Sequence, residues 1–146
     1  MVVAGEFVLD ASVTIPWIFR DEKCGLADRT WNVLVSEAGV AHIPGIWVME
    51  VINVPLLGPK DRKRPKPTKQ DRDLYFAVLR KLPLRVHYQG LEPLLDYVVP
   101  LMEKYKDLTC YDAAYVLLAK RTGLPLVTRD GVMEGVAVAE GVKVLK

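Results

Sequence analysis

Four carboxylates stand in apolar company: Asp10, Glu50, Asp112 and Asp130. Asp10 ends the run FVLD and Asp130 ends LVTRD, each just after a short apolar stretch. Glu50 lies in GIWVMEVINV, where helical spacing gives it Ile46, Trp47, Asn53 and Val54 as neighbours, and only Asn53 is polar. Asp112 opens TCYDAAYVLLAK. At about 100° per residue its helical neighbours are Thr109, Tyr115, Val116 and Ala119, so no charged stripe leads it to water. A buried lone charge is costly unless it is paired, capped or bound to a metal.

Each acid also has a purely structural reading. Asp is a common N-cap and turn former, and Asp130-Gly131 is an ordinary turn dipeptide. Glu50 can reach solvent at a helix rim. Thr109 to Asp112 fits the [ST]xx[DE] capping box, with Thr109 as N-cap. Capping and ligation are compatible, because a carboxylate has two oxygens. Taken jointly, four acids at one end of a sheet repel one another unless a divalent cation neutralises them. Hard oxygen ligands without His or Cys select Mg²⁺ or Mn²⁺. Such ions activate water and stabilise the leaving oxygen in phosphodiester cleavage.

The elements that must bring these acids together alternate along the chain. Residues 7–9 read as a strand, 13–20 as a helix with Pro16 in its first turn, 26–38 as a helix and 40–43 as a strand. Pro44-Gly45 opens the helix holding Glu50, which Pro55 is expected to kink or stop near Val54. Beyond a basic segment come a helix at 71–81, a strand at 85–88, a helix at 91–105 made irregular by Pro100, and a helix at 109–122. Strands at 125–128 and 142–145 follow. This alternation predicts a single α/β domain over residues 1–146 with a mostly parallel sheet, whose carboxyl edge, where ligands bind in such folds, receives Asp10 and Asp130.

The 146 residues can bury a real core, and 51% of them are hydrophobic. Cys24 and Cys110 make no CxxC, and with only His42 and His87 besides there is no soft-ligand set for zinc. The start has no basic n-region and the longest apolar run is too short to span a bilayer, so a reduced, cytoplasmic setting without membrane contact is expected. Net charge is +2, yet KDRKRPKPTK at 60–69 carries six bases and one acid. Its Lys60, Arg62, Lys63, Arg64, Lys66 and Lys69 are candidates for RNA phosphates, the alternative being a solvated linker.

The stretches VLDAS, WVMEVIN and YDAAYVLLAKRTGLPLVTRD, with the final strand, resemble the PIN-domain ribonucleases and, among them, the VapC toxins of toxin-antitoxin pairs. The most specific stretch is the last, with Asp112 opening an apolar helix and TxD following the next strand. The resemblance implies a parallel sheet of four or five strands with helices on both faces. It also implies a Mg²⁺ or Mn²⁺ endoribonuclease site at Asp10, Glu50, Asp112 and Asp130, with Ser12 and Thr128 as adjoining hydroxyls; Asn53 joins them as a supporting residue by its helical spacing from Glu50. A homodimer and a cognate antitoxin that blocks the site are implied as well. Two departures concern the helices beside the site: Pro55 with GPKDRKRPKPTK after Glu50, and Pro100.

Other groups compete for attention. Trp17, Trp31 and Trp47 sit in apolar helical patterns, which favours core or dimer packing over base stacking. His87 reads as a strand residue and Cys110 as a small core residue. Two further functions share these features. A non-catalytic RNA- or protein-binding member of the same fold would act through 60–69 and a dimer surface. A phosphoacceptor receiver would show an adjacent acidic pair after the first strand, where this chain has Asp10 followed by Ala11.

Overall fold

A computed structural model describes residues 5–19, 24–58 and 65–146. Among these residues five strands, β1 (Gly5–Leu9), β2 (Gly39–Pro44), β3 (Leu84–His87), β4 (Leu126–Val127) and β5 (Val144–Leu145), run parallel in the order β3-β2-β1-β4-β5. The central strand explains itself by composition. Successive side chains of a strand face opposite sides, and Phe7, Val8 and Leu9 are all fully buried, so both faces of β1 are covered. From β1 the chain winds outward through β2 and β3, then returns to add β4 and β5 on the other side. The order therefore reverses between β1 and β4, and the crevice beyond their carboxyl ends is the switch point where open α/β sheets bind ligands.

Among the described residues seven α-helices accompany the sheet: α1 (Gly25–Val35), α2 (Gly45–Leu57), α3 (Lys69–Leu79), α4 (Leu91–Pro93), α5 (Val99–Lys104), α6 (Cys110–Thr122) and α7 (Gly131–Ala139). Helix α6 is the central one, buried continuously from Ala113 to Ala119. Its all-round apolarity is what a helix in the middle of a core requires. Gly123, at φ +69°, supplies the left-handed residue that ends it. At the foot of β2, a side chain on Gly39 would stand 2.5 Å from the Gly5 carbonyl oxygen, so close pairing of β1 with β2 requires glycine there.

Several sequence expectations change. Residues 13–19 form no α-helix but part of two 3-10 turns, Ala11–Val13 and Ile15–Trp17. Pro16 has no N–H to give Ser12, whose carbonyl instead accepts from the Arg129 guanidinium at 3.3 Å, while the Thr14 hydroxyl donates back to Ala11. Arg20, at the end of that expected helix, lies outside the described residues. Helix α2 does not stop at Val54. Pro55 falls in its last turn, where one lost bond is tolerable, and the Gly58 amide closes on the Val54 carbonyl at 3.0 Å. Around Pro100 the chain widens into a π turn, Leu94–Val98, between α4 and α5, which relieves the clash of a proline ring with the carbonyl four residues back. Helix α7 was not expected at all, yet Met133, Val136 and Ala137 form a buried i, i+3, i+4 face. Among the described residues, no helix is long and apolar enough to cross a membrane.

Candidate active site

Asp10 follows directly on β1 and is 4% exposed. Its amide donates to the Val127 carbonyl at 3.0 Å, which fixes it over the junction with β4. Its carboxylate accepts the Ser12 hydroxyl through a very short bond and the Thr128 hydroxyl at 2.7 Å, both on Oδ2. Burial drives its pKa above the ordinary carboxylate range; the Ser12 and Thr128 hydrogen bonds oppose that, and the charge of Asp112 adds to it. The two hydroxyls also accept backbone amides of the segment after β4, Ser12 from across the switch point and Thr128 locally. Ser12 Oγ accepts the Arg129 amide at 3.1 Å, and Thr128 Oγ1 accepts the Asp130 amide at 3.0 Å.

Glu50 projects from the middle of α2. Burial raises its pKa first, and the charges of Asp10 and Asp112 raise it further. Its Oε2 accepts a short hydrogen bond from the Tyr115 hydroxyl, which acts the other way. Tyr115 has no exposed surface, and burial together with the Glu50 charge pushes its own pKa up, so the phenol stays a donor. Sequence reasoning missed Tyr115. The signal was present, since this lone phenol in the buried stretch of α6 follows Asp112 by three residues and so shares its side of the helix. Asn53, expected beside Glu50, is exposed on α2 and makes no hydrogen bond to it among the described residues.

Asp112 is half-buried in the first turn of α6. Thr109 caps that helix, accepting the Asp112 amide at 3.1 Å, and its hydroxyl donates to Asp112 Oδ2 at 2.7 Å. The return bond expected of a capping box thus comes from the Thr109 hydroxyl rather than its amide, and it engages one carboxylate oxygen. Asp130 is the N-cap of α7, its Oδ1 accepting the Met133 amide at 2.7 Å.

Asp10, Glu50 and Asp112 are therefore joined by mutual charge, whereas Asp130 connects to Asp10 through Thr128. Among the described residues no group of three His, Cys, Asp or Glu side chains is set around a common point for an ion. The chemistry of the donors nonetheless fits a hard divalent cation: the grouped donors are carboxylates, the pKa values of Asp10 and Glu50 are raised in part by neighbouring acids, and hydroxyls fix one oxygen each of Asp10, Glu50 and Asp112.

The remaining candidates lie elsewhere. Lys60, Arg62, Lys63 and Arg64 fall outside the described residues. Lys66 is exposed, and Lys69 opens α3 in an ion pair with Asp73. His87 ends β3 with Nε2 2.8 Å from His42 Nδ1, and His42 reaches Glu6 at 2.9 Å, so its partner is a strand histidine rather than one of the four acids. Trp17 and Trp31 meet edge to face with ring centres 5.2 Å apart, and Trp47 is buried. Cys110 is exposed in the first turn of α6, not a core residue.

A family model described as "PIN domain" matches residues 7–139. Among curated proteins, no sequence matches the chain. Solved structures share the fold. VapBC2 from Rickettsia felis, bound to a DNA fragment from its promoter, superposes with a TM-score of 0.64 at 10% identity, covering 96% of this chain and 97% of that one. FitAB bound to an IR36 DNA fragment gives 0.63 at 17% identity, covering 95% and 93%. A toxin-antitoxin complex from Klebsiella pneumoniae gives 0.56 at 18% identity, covering 85% and 86%.

Proposed function

The chain belongs to the PIN-domain family, and from that premise we propose that it is a metal-dependent endoribonuclease, the toxin of a type II toxin-antitoxin pair, with residues 1–146 as one catalytic domain. The observation that carries this reading is the charge-coupled set of Asp10, Glu50 and Asp112 at the switch point of the sheet. Asp10, Glu50 and Asp112, with Asp130, would hold Mg²⁺ or Mn²⁺. Such an ion, when bound, supplies an activated water and stabilises the leaving oxygen of a phosphodiester.

The chain's own residues do the positioning. Ser12 and Thr128 hold the Asp10 carboxylate, Tyr115 holds Glu50, and Thr109 holds Asp112. No side-chain nucleophile is needed, so products with 5′-phosphate and 3′-hydroxyl ends are expected. An apolar groove of about 460 Å³, lined by Trp47, Val51, Ile52, Leu56, Phe76 and Val86 among others, supports a protein partner, either a second copy or an antitoxin. The structural neighbours crystallised as VapBC2, as FitAB and as a toxin-antitoxin complex support the antitoxin.

The apolar groove along α2 also suits one alternative, a non-catalytic RNA- or protein-binding PIN-fold protein. Incubation of RNA oligonucleotides with purified protein and Mn²⁺, followed by end-group analysis, separates the two. Cleavage with the stated ends supports the enzyme. Chelator-insensitive binding without cleavage supports the alternative.

A further inference from the structure

We propose that the cleft between the starts of α2 and α6 is a nucleobase subsite, which takes one unpaired base of a single-stranded RNA beside the carboxylates. The proposal rests on the endoribonuclease reading and names what that site would grip besides phosphate. The cleft has a volume of about 330 Å³, and its walls include Gly45, Ile46, Tyr88, Gln89, Tyr111 and Ala114. Its position follows from the helices that frame it. Tyr111 immediately precedes Asp112 on α6, and Ile46 lies four residues before Glu50 on α2, so the same two helices present the cleft and two of the acids.

The lining selects the ligand class. The described lining of the cleft includes no Asp, Glu, Lys, Arg or His, so it offers a phosphate no cationic side chain and a hard metal ion no carboxylate. Two tyrosines stand at it in the open, Tyr88 at 85% and Tyr111 at 57% exposure. An exposed phenol ring has an apolar face that water covers poorly, and flat π systems stack on it. The Tyr88 ring lies against the backbone where α2 begins, since a Cβ on Gly45 would stand 3.0 Å from it. Gln89 adds an edge. Its Nε2 donates to the Ala114 carbonyl at 3.1 Å, which anchors the amide and leaves a second N–H and the Oε1 acceptor for a base edge. With Ile46, Leu94 and Val98 the lining is mainly apolar, which suits the face of a base, while the exposed phenol rings and the anchored amide supply stacking and an edge contact.

The test reads binding separately from cleavage. Fluorescence anisotropy with a fluorescein-labelled poly(A) oligonucleotide, in Ca²⁺ to neutralise the acids, is measured for wild type, Tyr88→Ala, Tyr111→Ala and Tyr88→Phe. Loss of a stacking partner is expected to weaken binding by roughly 5- to 100-fold in the alanine variants, with Tyr88→Phe near wild type. One abasic nucleotide, scanned along the RNA, is expected to reproduce the loss at a single position in wild type and to add nothing in Tyr88→Ala. Equal affinity of wild type and both alanine variants, with melting temperatures unchanged, overturns the proposal and leaves the cleft to a protein side chain. Wild-type protein that binds in this manner but cuts no RNA in Mn²⁺ upholds the subsite and removes the catalytic reading, so the two failures are distinct.

Discussion

Asp10 is held in place against the pull of its own burial, and the same tension extends to Glu50. Both have pKa values raised chiefly by desolvation, with like charges adding to the effect. For an acid whose folded pKa lies above its unfolded one, the folded state binds the proton more tightly. The associated stability is then present at low pH and is lost as pH rises from the ordinary carboxylate range through the raised pKa. Glu50→Gln is therefore expected to raise the metal-free melting temperature at pH 7 by a few degrees and to flatten its decline above about pH 4.5. An unchanged slope in thermal melts in EDTA contradicts this. Tyr115→Phe removes the donor that fixes Glu50. Loss of such an orienting group is expected to lower cleavage by about 10- to 100-fold with the fold intact, measured as initial rates against a melting control.

At the scale of elements, substitution separates the capping role of Asp130 from the ligand role proposed for it. As the N-cap of α7 it accepts the Met133 amide. Asp130→Ala is expected to cost about 1 kcal/mol, whereas Asp130→Asn keeps a capping oxygen and with it the stability. If Asp130 also serves an ion, Asp130→Asn loses activity while its chemical denaturation midpoint stays at the wild-type value. Wild-type activity in Asp130→Asn leaves the residue a cap alone. The main strands and long helices were legible because their hydrophobic periods are unambiguous, as in the solid run of β1 and the all-apolar face of α6. Helix α7 was not, since Gly131 and Gly135 with three valines obscure its short buried face. The 3-10 turns and the π turn depend on where Pro16 and Pro100 lose their hydrogen bonds, which local sequence does not rank. The four acids stood out as charges in apolar surroundings. Tyr115 did not, because a phenol in a buried helix reads as core until its hydroxyl's partner from another helix is placed.

For the whole molecule, the order β3-β2-β1-β4-β5 is what gathers the site. It brings the ends of β1 and β4 together, so Asp10 and Thr128 meet across 118 positions of sequence. An ion bound only by this assembled state adds to its stability. Mn²⁺ at about 100 times its dissociation constant is expected to contribute about 2.7 kcal/mol, which in a domain of this size raises the melting temperature by roughly 5–10 °C. Mg²⁺ or Mn²⁺ without any shift contradicts binding. The central claim is that the grouped carboxylates hold the ion that cuts RNA. It is tested most directly by the initial rate of cleavage of a labelled single-stranded RNA in Mn²⁺, measured for wild type and for Asp10→Asn combined with Asp112→Asn. Cleavage by wild type, abolished by EDTA and reduced at least about 100-fold in the double variant, is the expected result. Equal cleavage by the two proteins, or none by wild type, contradicts it.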